Sequence, residues 1–131
     1  GHLVDTGRTF IYDTALPPSI AAGARAGLQL LTTAGEQRAI VRTRAHDAVR
    51  ALRAAGLEVG DPAAGVVSVA APDAEAALAW ASACREKGVA VGCFRPPSTP
   101  DARSRLRLTI NAGVTASEFQ RALSTIVATA P

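Results

Sequence analysis

Three of the four arginines between positions 95 and 107 stand out in this 131-residue chain. Arg105 and Arg107 alternate in Ser104-Arg-Leu-Arg-Leu-Thr-Ile110, and Arg95 ends the apolar run just before Pro96-Pro97. Side chains on a strand point alternately to opposite faces. Leu106, Leu108 and Ile110 therefore share one face, and Arg105, Arg107 and Thr109 share the other. A guanidinium group is planar, always charged and presents a fork of N–H donors that matches a carboxylate. Grouped at one end of a small sheet, these arginines point to recognition of a carboxylate on a small molecule. The competing reading is plain surface charge on an edge strand.

Other residues offer weaker chemistry. Arg38, Arg42, His46, Arg50 and Arg53 recur near one face of a helix, the pattern of phosphate contacts in a nucleic-acid binder. Aromatic residues are only 4% of the chain, so stacking platforms are few, and a solvated helix face explains the stripe as well. Thr14, in Asp13-Thr14, precedes Pro17-Pro18, where a hydroxyl can meet a phosphate oxygen or simply close a turn. His46 and Asp47 are neighbours on a helix and face different ways. Lys87, the one lysine beside thirteen arginines, ends a helix, where a cation complements the dipole rather than serving as a Schiff base. Cys84 and Cys93 form no CxxC, and with only two histidines a zinc site is not expected. Free cysteines fit a reducing cytoplasm. No convincing nucleophile or general base is present.

The elements that must position these residues are legible from punctuation. Pro17-Pro18-Ser19 suits the first turn of a helix over Ile20–Leu31, and Thr32–Gly35 reads as a break. Glu36–Ala55 is the longest helix, with Ile40, Val41, Ala45, Ala48, Val49 and Leu52 at helical spacing and Gly56 as its stop. Val66–Ala71 reads as a buried strand. Asp73 caps a helix over Ala74–Lys87, ended by Gly88. Val89–Arg95 is a second strand, Pro96–Arg103 a loop, and the arginine-bearing strand follows. Thr115 and Glu118 have capping-box spacing for a helix over Ala116–Ala128. The expected architecture is α+β: a long amino-terminal helix packed on a small antiparallel-containing sheet of order β-α-β-β-α. The composition, 48% hydrophobic and 19% charged, suits one globular domain. No apolar stretch approaches the roughly 20 residues of a membrane span. Gly1-His2-Leu3-Val4-Asp5 lacks the plan of a signal peptide.

Three segments, in order, carry a family resemblance: Phe10-Ile-Tyr-Asp-Thr-Ala-Leu-Pro-Pro18, Gly88-Val-Ala-Val-Gly-Cys-Phe-Arg-Pro-Pro-Ser-Thr-Pro100 and Ser104-Arg-Leu-Arg-Leu-Thr-Ile110. Together they resemble the carboxy-terminal third of the α-oxoamine synthases, pyridoxal-phosphate (PLP) enzymes of fold type I. The resemblance implies a small carboxy-terminal domain over residues 34–131, with residues 1–33 as the connector from a large cofactor-binding domain. It implies that Arg107 holds the carboxylate of the amino-acid substrate, and that Thr14 reaches the cofactor phosphate of the neighbouring subunit in a homodimer. The Arg95-Pro96-Pro97 triplet is most similar to the branch that condenses L-alanine with a pimeloyl thioester, with Arg95 suited to the far carboxylate of the acyl chain. In that chemistry the cofactor is an electron sink.

The family's Schiff-base lysine lies upstream of the first segment, so this chain alone is expected neither to hold the cofactor nor to catalyse. Two positions depart from the family pattern. Asn111-Ala112-Gly113 stands where a small-small-His ending is usual, and Asp13 where serine or threonine is common. Two other readings remain: an α-oxoamine synthase of glycine C-acetyltransferase or 5-aminolevulinate synthase type, and a stand-alone arginine-rich module for anions or nucleic acid. Neither membrane nor nucleic-acid partners are expected of the first reading.

Overall fold

The computed structural model describes His2, Thr6 and residues 17–131. The segment Phe10–Leu16, with Asp13 and Thr14, lies outside the described residues. By internal contacts the chain divides into two compact units, Gly1–Gly35 and Glu36–Pro131. In the first, helix α1 spans Pro18–Thr33 with proline in its first turn and no buried residue. Its Ile20, Leu28, Leu30 and Leu31 are exposed.

Helix α2 spans Gly35–Ala54. The expected four-residue break is thus confined to Ala34. The Thr32 and Thr33 hydroxyls donate to the carbonyls of Gln29 and Leu30, at 2.7 and 3.1 Å, which keeps both threonines inside the last turn of α1. Gly56, at φ +83°, and Gly88, at φ +78°, take the left-handed conformation just beyond α2 and the helix Ala74–Glu86, as expected of helix stops.

The second unit runs α2, β1 (Val66–Ala70), α3 (Ala74–Glu86), β2 (Gly92–Phe94), β3 (Arg105–Thr109) and α4 (Ala116–Ala128). The three strands lie in the order β1-β3-β2, with β3 antiparallel to both neighbours. After α2 the order is the expected β-α-β-β-α, and the fold is α+β. Strand β2 is shorter than its apolar run. The Val89 N–H still donates to the Cys84 carbonyl at the exit of α3, and the Arg95 carbonyl already accepts from Ser98 in the following turn. Only the residues between them are free to pair with β3.

Alternation decides which face of the sheet is covered. Val67 and Val69 of β1 and Leu106 and Leu108 of β3 are buried against Ala45, Ala48, Val49 and Leu52 of α2, Trp80 and Cys84 of α3, and Phe119, Leu123 and Ile126 of α4. The Trp80 indole N–H donates to the Ile126 carbonyl at 2.9 Å, so the largest core side chain is buried without an orphaned donor. Both helix starts read from sequence are built as expected. Asp73 Oδ1 accepts from Ala76 N at 2.7 Å, and Thr115 and Glu118 form a reciprocal capping box.

Candidate functional site

The core claims one face of the sheet and leaves the other to Val66, Ser68 and Ala70 of β1, Gly92 and Phe94 of β2, and Arg105, Arg107 and Thr109 of β3. Register places Arg107 between Ser68 of β1 and Gly92 of β2, and Arg105 between Ala70 and Phe94. These residues share a face because each is an even number of positions from its strand mates. The loop after β2, whose Pro96–Pro97 bond is cis, carries Ser98, Thr99 and Pro100 to the same face. A cavity of about 240 Å³ results, bounded by Ser68, Phe94, Thr99, Arg105 and Arg107 among others.

The two strand arginines are held differently. Arg105 donates through Nη2 to Asp101, and that hydrogen bond holds the Asp101 carboxyl below the usual carboxylate range. Its charge is matched within the chain. Arg107 lies over the Phe94 ring, Cζ 4.3 Å from the ring centroid, and pairs with no carboxylate among the described residues. A cation over an aromatic face is attracted by the ring quadrupole and spends no N–H doing so. The Arg107 fork thus remains available in a cavity that also holds two buried polar atoms without a protein partner, Thr99 Oγ1 and Arg105 Nε. Arg95 is exposed at the end of β2 and does not line this cavity. The three arginines expected together therefore separate into one matched by an acid, one over a ring and one on the adjoining turn.

Larger concavities elsewhere offer less. One of about 590 Å³ is lined by Arg103, but Arg103 is bound to Glu58 at 2.6 Å, and that contact pulls the Glu58 carboxyl down. A largely apolar one of about 260 Å³ includes Arg121 and Glu118, and Glu118 is committed to the capping box.

The helix stripe is partly spent as well. Arg50 binds Asp47, and Arg53 binds Asp61 at 3.0 Å and the Val59 carbonyl at 2.8 Å, whereas Arg38 and Arg42 are exposed. Lys87 is exposed as the C-cap of α3, which does not fit a lysine held against a cofactor ring. The described residues do not by themselves build a cofactor cradle, and Thr14, the residue expected to meet its phosphate, lies outside them. Cys84 is buried beside the Thr129 hydroxyl at 3.2 Å; Cys93 is half-buried, and both are free thiols. Among the described residues no cluster of His, Cys, Asp or Glu suits a metal ion, and no helix is long and apolar enough to cross a membrane.

Sequence reasoning passed over Phe94 and Thr99, which line the arginine cavity, and Arg44. The Phe94 signal is its even spacing from Gly92 on a strand paired with β3, visible only once the register is known. Arg44 donates to the Asn111 carbonyl at 2.9 Å and lies 5.4 Å from the Phe119 ring centroid. Asn111 Oδ1 in turn accepts from the Gly113 and Val114 N–H groups, at 2.9 and 3.2 Å. The Asn-Ala-Gly departure from the family pattern is thus a turn pinned to α2.

Known proteins match this chain over nearly its whole length. The model of the class I and II aminotransferases matches residues 1–126, and this chain belongs to that family. It is similar to the 8-amino-7-oxononanoate synthase of Mycolicibacterium smegmatis, at 40% identity over 132 residues, covering 98% of this chain and 34% of that protein. Among solved structures, the 8-amino-7-oxononanoate synthase of Francisella tularensis superposes with a TM-score of 0.73 at 27% identity, covering 97% of this chain and 37% of that one. Serine palmitoyltransferase from S. paucimobilis, with a bound PLP–myriocin aldimine, reaches 0.83 at 31% identity, covering 93% and 31%. The chain spans about a third of the length of the curated relatives it matches. The α-oxoamine synthase resemblance read from three motifs agrees with these relatives.

Proposed function

We propose that this chain forms the carboxy-terminal part of a PLP-dependent C-acyltransferase that condenses L-alanine with a pimeloyl thioester, a step of biotin biosynthesis. The observation that carries this reading is Arg107: a guanidinium over Phe94 in a cavity, with no acid partner among the described residues. The 8-amino-7-oxononanoate synthases among its relatives support the choice of substrates. In this reading Arg107 grips the alanine carboxylate, and Arg95, exposed on the adjoining turn, meets the far carboxylate of the acyl chain. Thr14 contacts the cofactor phosphate across a homodimer in the cytoplasm. Residues 1–33 are the connector, and residues 34–131 the small domain. In this reading none of these 131 residues is the lysine that carries the cofactor, and the chain by itself is inactive. No step of the chemistry is assigned to Lys87.

The likeness to serine palmitoyltransferase favours one other reading, an α-oxoamine synthase with a different amino acid and acyl donor. The deciding assay uses the protein as its gene encodes it. L-Alanine, L-serine and glycine are each offered with pimeloyl-, palmitoyl-, acetyl- and succinyl-coenzyme A, and pairs are ranked by kcat/KM. Alanine with the pimeloyl donor should lead. Serine with palmitoyl, or glycine with acetyl or succinyl, in first place would replace the biotin assignment.

A further inference from the structure

The sheet face that carries Arg107 also shows how that side chain is kept in place. Arg107 sits directly across from Gly92, and Phe94 is the next residue of β2 on that face. A Cβ added at Gly92 would come within 3.0 Å of Phe94 Cε2 and 3.6 Å of Arg107 Cβ. The missing side chain therefore leaves the space in which the Phe94 ring leans back along the strand, beneath the guanidinium 4.3 Å away. An exposed arginine side chain otherwise loses considerable rotamer freedom on binding a ligand. A ring that holds the cation by its face removes part of that freedom in advance and keeps the in-plane donors for the ligand. Arg105 shows the contrast, because Asp101 holds it by its N–H edge and consumes a donor.

We propose that Phe94 is a positioning residue for carboxylate recognition, its ring orienting Arg107 in the space that Gly92 leaves open. The proposal rests on the reading of Arg107 as the carboxylate holder. In this role Phe94 acts through Arg107, and the expected effect of removing its ring is on the affinity for the amino acid.

The test uses the whole protein, with F94L, F94Y, G92A and R107A, each checked for folding by thermal denaturation. F94L should raise the KM for L-alanine about two- to fivefold, leaving kcat and the KM for the pimeloyl donor unchanged. F94Y, which keeps the ring, should restore the wild-type KM, and G92A, which displaces it, should repeat the F94L effect. In the R107A background F94L should add nothing, since the group it positions is gone. In the ligand-free protein the Arg107 Nε–H resonance should carry an upfield ring-current shift that F94L abolishes. If R107A raises the alanine KM and F94L does not, the positioning role falls and the Arg107 reading stands. If R107A leaves that KM unchanged, both fall. Equal losses in F94L and F94Y, or a loss in kcat alone, would reduce Phe94 to a packing residue. Should F94L fail to fold, G92A and the resonance of Arg107 decide the matter.

Discussion

Arg105 and Arg107 are two positions apart on one strand face and do different work, because one meets a carboxylate edge-on and the other an aromatic ring. An ion pair within the chain matches the charge of Arg105 and takes up its Nη2, and stacking leaves the whole Arg107 fork open to a ligand. On the proposed function, Arg107→Ala should weaken the grip on the amino acid. Loss of a charge-assisted, bidentate contact is worth about 1.5–3 kcal/mol, or roughly a ten- to hundredfold rise in the KM for alanine. An unchanged KM would remove Arg107 from the site. Arg95→Ala should instead penalise the pimeloyl donor more than an acyl donor without a second carboxylate, and equal losses would deny it the acyl end. The alternating pattern was enough to put both strand arginines on one face. Which of them is free depends on Asp101 and Phe94, and neither is paired with its arginine by sequence spacing alone.

Elements were the most legible level. Asp73, Thr115 and Glu118 act at the helix starts where their spacing put them, since caps are satisfied within four residues. Thr115→Ala removes the hydroxyl that accepts from the Glu118 N–H and should cost about 1 kcal/mol, read as a lower urea midpoint with an unchanged slope. A midpoint equal to the parent's would mean that the cap is replaced by water at no loss. Strand β2 is shorter than the Val89–Arg95 run that predicts it, because an apolar run marks burial and not pairing. The break before α2 is likewise shorter than Thr32–Gly35, because threonines can bond back into the helix they end.

Over the molecule as a whole, three carboxylates held by neighbouring groups give stability a direction in pH. Arg103 holds Glu58, Arg105 holds Asp101 and the Thr115 cap holds Glu118, each below its ordinary range. A carboxyl depressed in the folded state contributes stability above its unfolded value and loses it as pH falls through the folded one. The melting temperature should thus fall in acid, below the ordinary carboxylate range, and stay level near neutrality as far as these groups decide it. E58Q and D101N should each lie below the parent at pH 7 and converge with it in acid. Variants that melt with the parent at every pH would show these pairs to be fully screened by water.

The sequence by itself determined the order of elements, the buried and polar faces of β3 and the helix caps, because each is settled by residues a few positions apart. It also carried the family resemblance, read from three motifs, and the matched relatives agree with it. The tertiary structure alone decided which arginine is left for a ligand. That outcome depends on the β2–β3 register bringing Phe94 and Gly92 beside Arg107, and on a loop turning Asp101 toward Arg105. Register is a long-range property, set by how the whole apolar face packs and not by the spacing of the residues it brings together.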